Sequence, residues 1–265
     1  MNYENIELID YVTQAGTKGV DVWDSAMLLY NSAMKEMRTK VDILNDEFKH
    51  VHQYNPIEYV KNRIKSPESI VKKLKRYGYS DSIENMVLYC NDIAGIRIVC
   101  SFTSDIYAIA DMIGRQNDIT VISIKDYIRN PKPSGYRSFH MIVSVPIFLS
   151  DKVVNTKVEI QIRTIAMDFW ASLEHKIQYK FEGNVPEQIS TDLWECSDIV
   201  NMLDNKMLSL NDAVMQTKIE MDTRERIQRR VDAQRMQEQE APLDEAETGG
   251  AEVTMLPEEE QKHTA

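Results

Sequence analysis

Residues 61–76, KNRIKSPESIVKKLKR, hold seven basic side chains (Lys61, Arg63, Lys65, Lys72, Lys73, Lys75, Arg76) and one acid, Glu68. The whole chain has 42 acidic and 31 basic residues and a formal net charge of −11. A cationic cluster inside an acidic chain points to a bound polyanion and away from a general nucleic-acid coat. Farther on, Glu159, Gln161 and Arg163 alternate with Val158, Ile160 and Ile162 in VVNTKVEIQIRT. In a strand, that alternation puts an acid, an amide and a guanidinium in one row. Hard cations such as Mg²⁺ take one or two protein carboxylates and complete their shell with phosphates and water. Asp92, just before a strand, and Glu159, within another, suit that role if the two strands are neighbours. Arg63, Lys65, Lys73, Arg76 and Arg97 suit the neutralisation of a polyphosphate. Tyr136, beside Gly135 and Arg137, suits stacking on a base. Taken singly, a lysine-rich helix face or a mixed-charge sheet face is also what plain solvation produces.

Other chemistries lack their residues. There is no G-x-x-x-x-G-K-[ST], no G-x-G-x-x-G and no G-x-S-x-G. His140 and His175 stand far apart without ligands at zinc spacing. Cys90, Cys100 and Cys196 are too scattered for a disulfide framework and fit reduced thiols in a cytoplasmic protein. The longest nearly apolar run, 141–149, is too short to span a bilayer, so no membrane association is expected.

The elements that must position these residues read as follows. Val22, Ala26, Leu29, Ala33, Met37 and Val41 recur at helical spacing within a long helix over 20–50. Ser66-Pro67 starts a second helix, with Ser69, Lys72, Lys73 and Arg76 on one face and Ile70, Val71 and Leu74 supplying an apolar side. Strands are expected over 95–100, 118–125, 136–145 and 153–164, and helices over 104–116 and 165–180. Trp170, Leu173 and Ile177 are the expected core stripe of the last. A long helix over about 187–235 carries a heptad-like seam, Cys196, Val200, Leu203, Met207, Leu210 and Val214. That seam either packs on the domain or pairs with another subunit. Strands mixed with helices around an inward polar row give an α/β (α+β) sheet with a site at one edge. Residues 236–265 carry nine acids against Lys262 and read as a disordered acidic tail, which leaves 1–235 as the functional domain.

Five segments in order resemble the synthetase domain of RelA/SpoT homologues: R-I-K-S-P-E-S-I-V-K-K (63–73), D-I-A-G-I-R-I (92–98), S-G-Y-R-S-F-H (134–140), V-E-I-Q-I-R-T (158–164) and A-M-D-F-W-A-S-L-E-H-K-I-Q-Y-K (166–180). The likeness covers roughly 20–220 and is nearest the short RelQ-type small alarmone synthetases. It implies a nucleotidyltransferase-like mixed sheet. It also implies a GTP pyrophosphokinase that moves the β,γ-pyrophosphate of ATP to the 3′-hydroxyl of GDP or GTP, giving (p)ppGpp and AMP. Carried over, Arg63 and Arg97 sandwich adenine, and Lys65, Ser69, Lys73 and Arg76 hold the ATP phosphates. Asp92 and Glu159 ligate Mg²⁺, Tyr136 stacks on guanine, and Lys132 and His140 contact the acceptor phosphates. Gln161 aligns the 3′-hydroxyl, and Glu159 is the natural acceptor for its proton. The H-D hydrolase motif of the long homologues is missing, so hydrolysis is not expected. Asp168 stands where RelQ-type members usually have asparagine, and Phe139 where they have tyrosine. Tyr59, Lys61 and Asn62 lie where relatives carry an allosteric site. The resemblance further implies a homo-oligomer, a tetramer, with single-stranded RNA as a candidate regulator. Two other functions compete: a toxic synthetase acting on tRNA 3′ ends, and a non-catalytic nucleotide- or RNA-binding regulator.

Overall fold

The computed structural model of the chain describes residues 3–52, 54–181 and 185–240. Among these the elements run α1 (Tyr3–Thr17), α2 (Val22–Glu47), a π-helical turn (Phe48–His52), β1 (Ile57–Ile64), α3 (Pro67–Arg76), α4 (Ile83–Tyr89), β2 (Ala94–Cys100), α5 (Thr103–Gly114), β3 (Thr120–Asp126), β4 (Phe139–Phe148), β5 (Val153–Thr164), α6 (Ile165–Lys180) and α7 (Glu187–Glu240). The strands form one mixed sheet in the order β1-β2-β5-β4-β3. β2 and β5 are parallel, and the other neighbours are antiparallel. This is the expected α+β class.

The side-chain period of two divides the sheet into unlike faces. Ile96, Ile98, Met141, Val143, Val158, Ile160 and Ile162 are buried on one, against Leu8, Val12, Leu29, Met37, Ile106 and Ile109 of α1, α2 and α5. Each such side chain stabilises the fold by about 1.5–3 kcal/mol on burial. α2 begins where expected: the Asp21 carboxylate accepts from the backbone amides of Trp23 and Asp24. Its stripe of Ala26, Leu29, Ala33, Met37 and Val41 is fully buried.

The opposite face holds the polar residues, and register aligns them across the strands. Lys61, Arg97, Gln161, His140 and Lys125 form one row from β1 to β3. Arg63, Gly95, Glu159, Ile142 and Ser123 form the next. β2 and β5 are neighbours, as the two-carboxylate reading requires.

Two expectations are corrected. The strand read from 136 starts at Phe139. Gly135 has φ +87°, and a Cβ there would stand 2.8 Å from the Ser197 Cβ, so only glycine fits the turn that presents Tyr136. On α6 the buried residues are Met167, Asp168, Trp170 and Ala171, whereas Leu173 is 41% exposed. The helix leans on the sheet through its first turns, so the stripe stops short of Leu173. The expected boundary at 235/236 falls inside α7, which runs on to Glu240. The remainder of the acidic segment, 241–265, lies outside the described residues.

α7 meets the rest of its unit through polar groups. Asp204 accepts from Thr164 Oγ1 at 2.6 Å, Ser197 Oγ donates to the Gly135 carbonyl, and Trp170 Nε1 donates to the Leu193 carbonyl at 3.0 Å. Within this unit the seam residues Leu203, Met207 and Leu210 are exposed, whereas Val200 is half-buried. The chain divides into two units, Met1–Asp212 and Ala213–Ala265, and the described part of the second is the C-terminal stretch of α7. No helix among the described residues is long and apolar enough to cross a membrane.

Candidate active site

One half of the site is built by β1, α3 and the turn into β2. Ser66 caps α3 by accepting from the Ser69 amide, with Pro67 at the first helical position. Ile70 and Leu74 are buried, which turns Ser69, Lys72, Lys73 and Arg76 into a cavity of ≈620 Å³ shared with Lys65, Tyr77 and Asp92. The amide of Lys65 bonds the Ile93 carbonyl at 2.8 Å and so extends the β1–β2 ladder to the residue after Asp92. Lys65 Nζ and Lys73 Nζ each lie 2.7 Å from an Asp92 oxygen. Burial raises the Asp92 pKa, and the two lysines outweigh it and hold the carboxyl below its ordinary value. Behind it, Lys157 Nζ donates to the Val87 carbonyl and Asn91 Oδ1, pinning the turn that carries Asp92. Arg63 and Arg97 line an adjoining cavity of ≈300 Å³ with Gly95, Glu159 and Gln161. Gly95 pairs with Arg63 across the β1–β2 ladder, so no side chain stands on the sheet beside Arg63 at that position.

The other half is built by β4, β5 and the loop before β4. Tyr136 Oη lies 2.9 Å from His140 Nε2, and His140 Nδ1 lies 3.4 Å from Glu159 Oε1. Arg163 Nη2 donates to Tyr136 Oη and to Gln161 Oε1, and Gln161 Nε2 donates to Glu159 Oε2 at 2.9 Å. One proton assignment satisfies this chain: Arg163 donates to Tyr136, Tyr136 to Nε2, and Nδ1–H points to Glu159. Burial lowers the His140 pKa against the pull of Glu159, which agrees with a neutral imidazole. Burial raises the Glu159 pKa, but His140 and Gln161 together hold it below its ordinary value. Lys132 Nζ sits 4.6 Å from the Tyr136 ring centre and 4.7 Å from that of Tyr127.

Asp92, Glu159, Lys73, Lys125, Lys132 and His140 line one cavity of ≈350 Å³. Tyr136, Gln161, Arg163 and Glu174 line another of ≈420 Å³ together with Arg63 and Arg97. Shared walls join the four cavities into a continuous cleft over the polar sheet face. All the site residues named from sequence border it. They are not equally disposed: the nitrogens of His140 already face Tyr136 and Glu159, while Arg63, Ser69, Arg76 and Lys132 are exposed. A separate cleft of ≈600 Å³, lined by Tyr11, Gln14, Lys18, Leu28 and Lys152, contains none of them.

Sequence reasoning missed how much rests on Asp168 and Arg163. Asp168 is 3% exposed and accepts from Tyr59, Arg97 and Arg163. Its only local signal is an acid in the first turn of a helix. No cage of three or more His, Cys, Asp or Glu side chains exists among the described residues. The donor set fits a hard divalent ion all the same. Two anionic oxygen ligands share one cavity, and ammonium groups already occupy Asp92 as stand-in cations.

Residues 62–184 match the family model described as the region found in RelA/SpoT proteins. The chain is 47% identical over 192 residues to the GTP pyrophosphokinase YwaC of Bacillus subtilis, covering 72% of this chain and 91% of that one. Its structure is similar to that of small alarmone synthetase 2 from B. subtilis, with a TM-score of 0.66 at 46% identity over 72% of this chain and 98% of that one. It is also similar to B. subtilis small alarmone synthetase 1 bound to its product pppGpp, with a TM-score of 0.68 at 35% identity over 73% and 98%. With five ordered motifs, the mixed sheet and a two-sided cleft in agreement with these likenesses, the chain belongs to the RelA/SpoT family, among its small alarmone synthetases.

Proposed function

We propose that this protein is a GTP pyrophosphokinase, transferring the β,γ-pyrophosphate of ATP to the 3′-hydroxyl of GDP or GTP and releasing AMP. The observation that carries the reading is the placement of Asp92 and Glu159 in one cavity between a lysine-rich donor side and a tyrosine-bearing acceptor side. The acceptor 3′-oxygen attacks the β-phosphorus, the bond from that phosphorus to the α-phosphate oxygen breaks, and AMP leaves with the electron pair. A protein assists such a transfer mainly by positioning and by neutralising charge.

The residues divide that work. Arg63 and Arg97 clasp adenine. Lys65, Ser69, Lys73 and Arg76 take the phosphates, and Lys65 and Lys73 exchange Asp92 for phosphate oxygens as they do so. Tyr136 stacks on guanine, and Lys132 meets the acceptor phosphates. His140 reaches those phosphates only by giving up one of its present partners. Gln161 orients the 3′-hydroxyl and Glu159 accepts its proton. Asp92 and Glu159 would hold Mg²⁺, which supplies charge stabilisation for the transferred group.

Incubation with labelled ATP and either GDP, GTP or tRNA, read by chromatography, tests the assignment. Label in a guanosine 3′-pyrophosphate together with AMP is expected. Label in tRNA, or no transfer, contradicts it.

The outward seam of α7 supports a homo-oligomer, with a tetramer as the specific expectation. Leu203→Glu with Leu210→Glu should reduce particle mass in light scattering. A monomeric unaltered protein at micromolar concentration contradicts the assembly.

A further inference from the structure

Asp168 occupies a position that the division of labour above leaves unexplained. Its carboxylate lies in the first turn of α6, against the side chains of Arg97 and Arg163, and is almost wholly buried. Oδ1 accepts from Arg97 Nη1 at 3.1 Å and from Arg163 Nη1 at 3.0 Å, and Oδ2 accepts from Tyr59 Oη at 2.8 Å. Burial pushes its carboxyl up, but the Tyr59 hydroxyl and the two guanidiniums outweigh that and keep it below its ordinary value.

The two arginines go to different substrates. Arg97 borders the cavity assigned to adenine, with Arg63 and Gly95. Among the described residues Asp168 is its hydrogen-bond partner, and the buried Arg97 Nε has none. A guanidinium tied at one end has its plane set by that tie. Arg163 bonds Tyr136 Oη, Gln161 Oε1 and Ser138 Oγ, and its guanidinium carbon lies 5.1 Å from the Tyr136 ring centre. It therefore braces the acceptor platform. The two cations also repel one another, and burial together with that repulsion lowers the Arg97 pKa. A shared anion lets both guanidiniums stand side by side.

Building on the two-nucleotide reading of the cleft, we infer that Asp168 is a positioning residue for both substrates at once, setting Arg97 against the donor base and, through Arg163, Tyr136 against the acceptor base. Arg97→Ala should then disturb ATP alone and Tyr136→Ala the guanine nucleotide alone, whereas Asp168→Asn disturbs both. The substitution keeps the shape and removes the charge that holds two donors. Both Michaelis constants should rise about tenfold, the size of one lost charge-assisted hydrogen bond. A defect confined to folding has a different signature, because it lowers the active fraction, hence the apparent kcat, and leaves both Michaelis constants in place.

The experiment is steady-state synthesis with ATP and GDP varied in turn, on unaltered protein, Asp168→Asn and Asp168→Glu. Asp168→Glu keeps the charge on a longer arm, so both constants should move in the same direction by a smaller factor. It also serves as the test if Asp168→Asn does not fold. A parallel rise in both constants supports the inference. A change in one constant only, or in neither while the protein is folded, overturns it. Absence of synthesis by the unaltered protein is a separate result, which overturns the assignment of function.

Discussion

The donor and acceptor halves of the cleft achieve order by opposite means. On the donor side the cations are long: Arg63, Lys72 and Arg76 stand in solvent, Arg97 is held by Asp168, and Lys65 and Lys73 are half-buried. Those two are tied to Asp92, a carboxylate that phosphate would replace in the proposed reaction. On the acceptor side Tyr136 is fixed before any ligand arrives, by Arg163, His140 and the Gly135 turn. In the proposed reaction the donor half would exchange partners on binding, whereas the acceptor half already holds its tyrosine in place. The difference follows from the ligands. A flexible triphosphate with its metal brings charge that can replace an ion pair, whereas a base and a 3′-hydroxyl must meet groups already in place.

The strongest way to break this comparison is at the two carboxylates. Asp92→Asn or Glu159→Gln should lower turnover on the order of a thousandfold, as the loss of transition-state charge stabilisation does elsewhere, with circular dichroism unchanged. Near-normal turnover in either variant would remove the metal role. Next, Tyr136→Ala should cost the acceptor about 1–3 kcal/mol in its Michaelis constant, the worth of one aromatic platform, while the ATP constant holds. Equal effects on both substrates would make Tyr136 a scaffold residue. A smaller change, about tenfold and confined to ATP, is expected from Lys73→Ala, because Lys65 still serves the phosphates. The mildest contrast needs no mutation. Raising the ionic strength should weaken ATP more than the acceptor, because exposed cations are screened and a buried network is not. A larger loss on the acceptor side would reverse the assignment of the halves.

Much of this was legible in the sequence. β5 has the expected bounds, 153–164, because its alternation is strict, and α3 starts at its Ser66-Pro67 cap. β1 gave no strand signal. It is an edge strand with exposed Glu58, Tyr59, Lys61, Asn62 and Arg63, so no period of two in apolar residues marks it, and its lysine and arginine suit an edge that must not pair further. The seam of α7 was visible, but its direction was not: the contacts of the helix with its own unit run through Ser197 and Asp204, which hydropathy cannot flag. Asp168 was seen only as a departure from a pattern. Its meaning lies in partners 71 and 109 residues away, brought together by the β1–β2–β5 register. Metal and phosphate ligands announce themselves by residue type. A residue that acts through others does so only once the strands are paired.

The central claim, that Asp92 serves the lysines in the free protein and the metal in the complex, is tested most directly by titrating a non-hydrolysable ATP analogue by calorimetry with and without Mg²⁺, into unaltered protein and Asp92→Asn. The account predicts that withdrawing Mg²⁺ weakens binding to the unaltered protein by about tenfold or more, since Asp92 then keeps its lysines and repels the phosphates. In Asp92→Asn the lysines are free, and the dependence on metal should shrink. Metal-independent binding to the unaltered protein, or an undiminished metal effect in the variant, would contradict it.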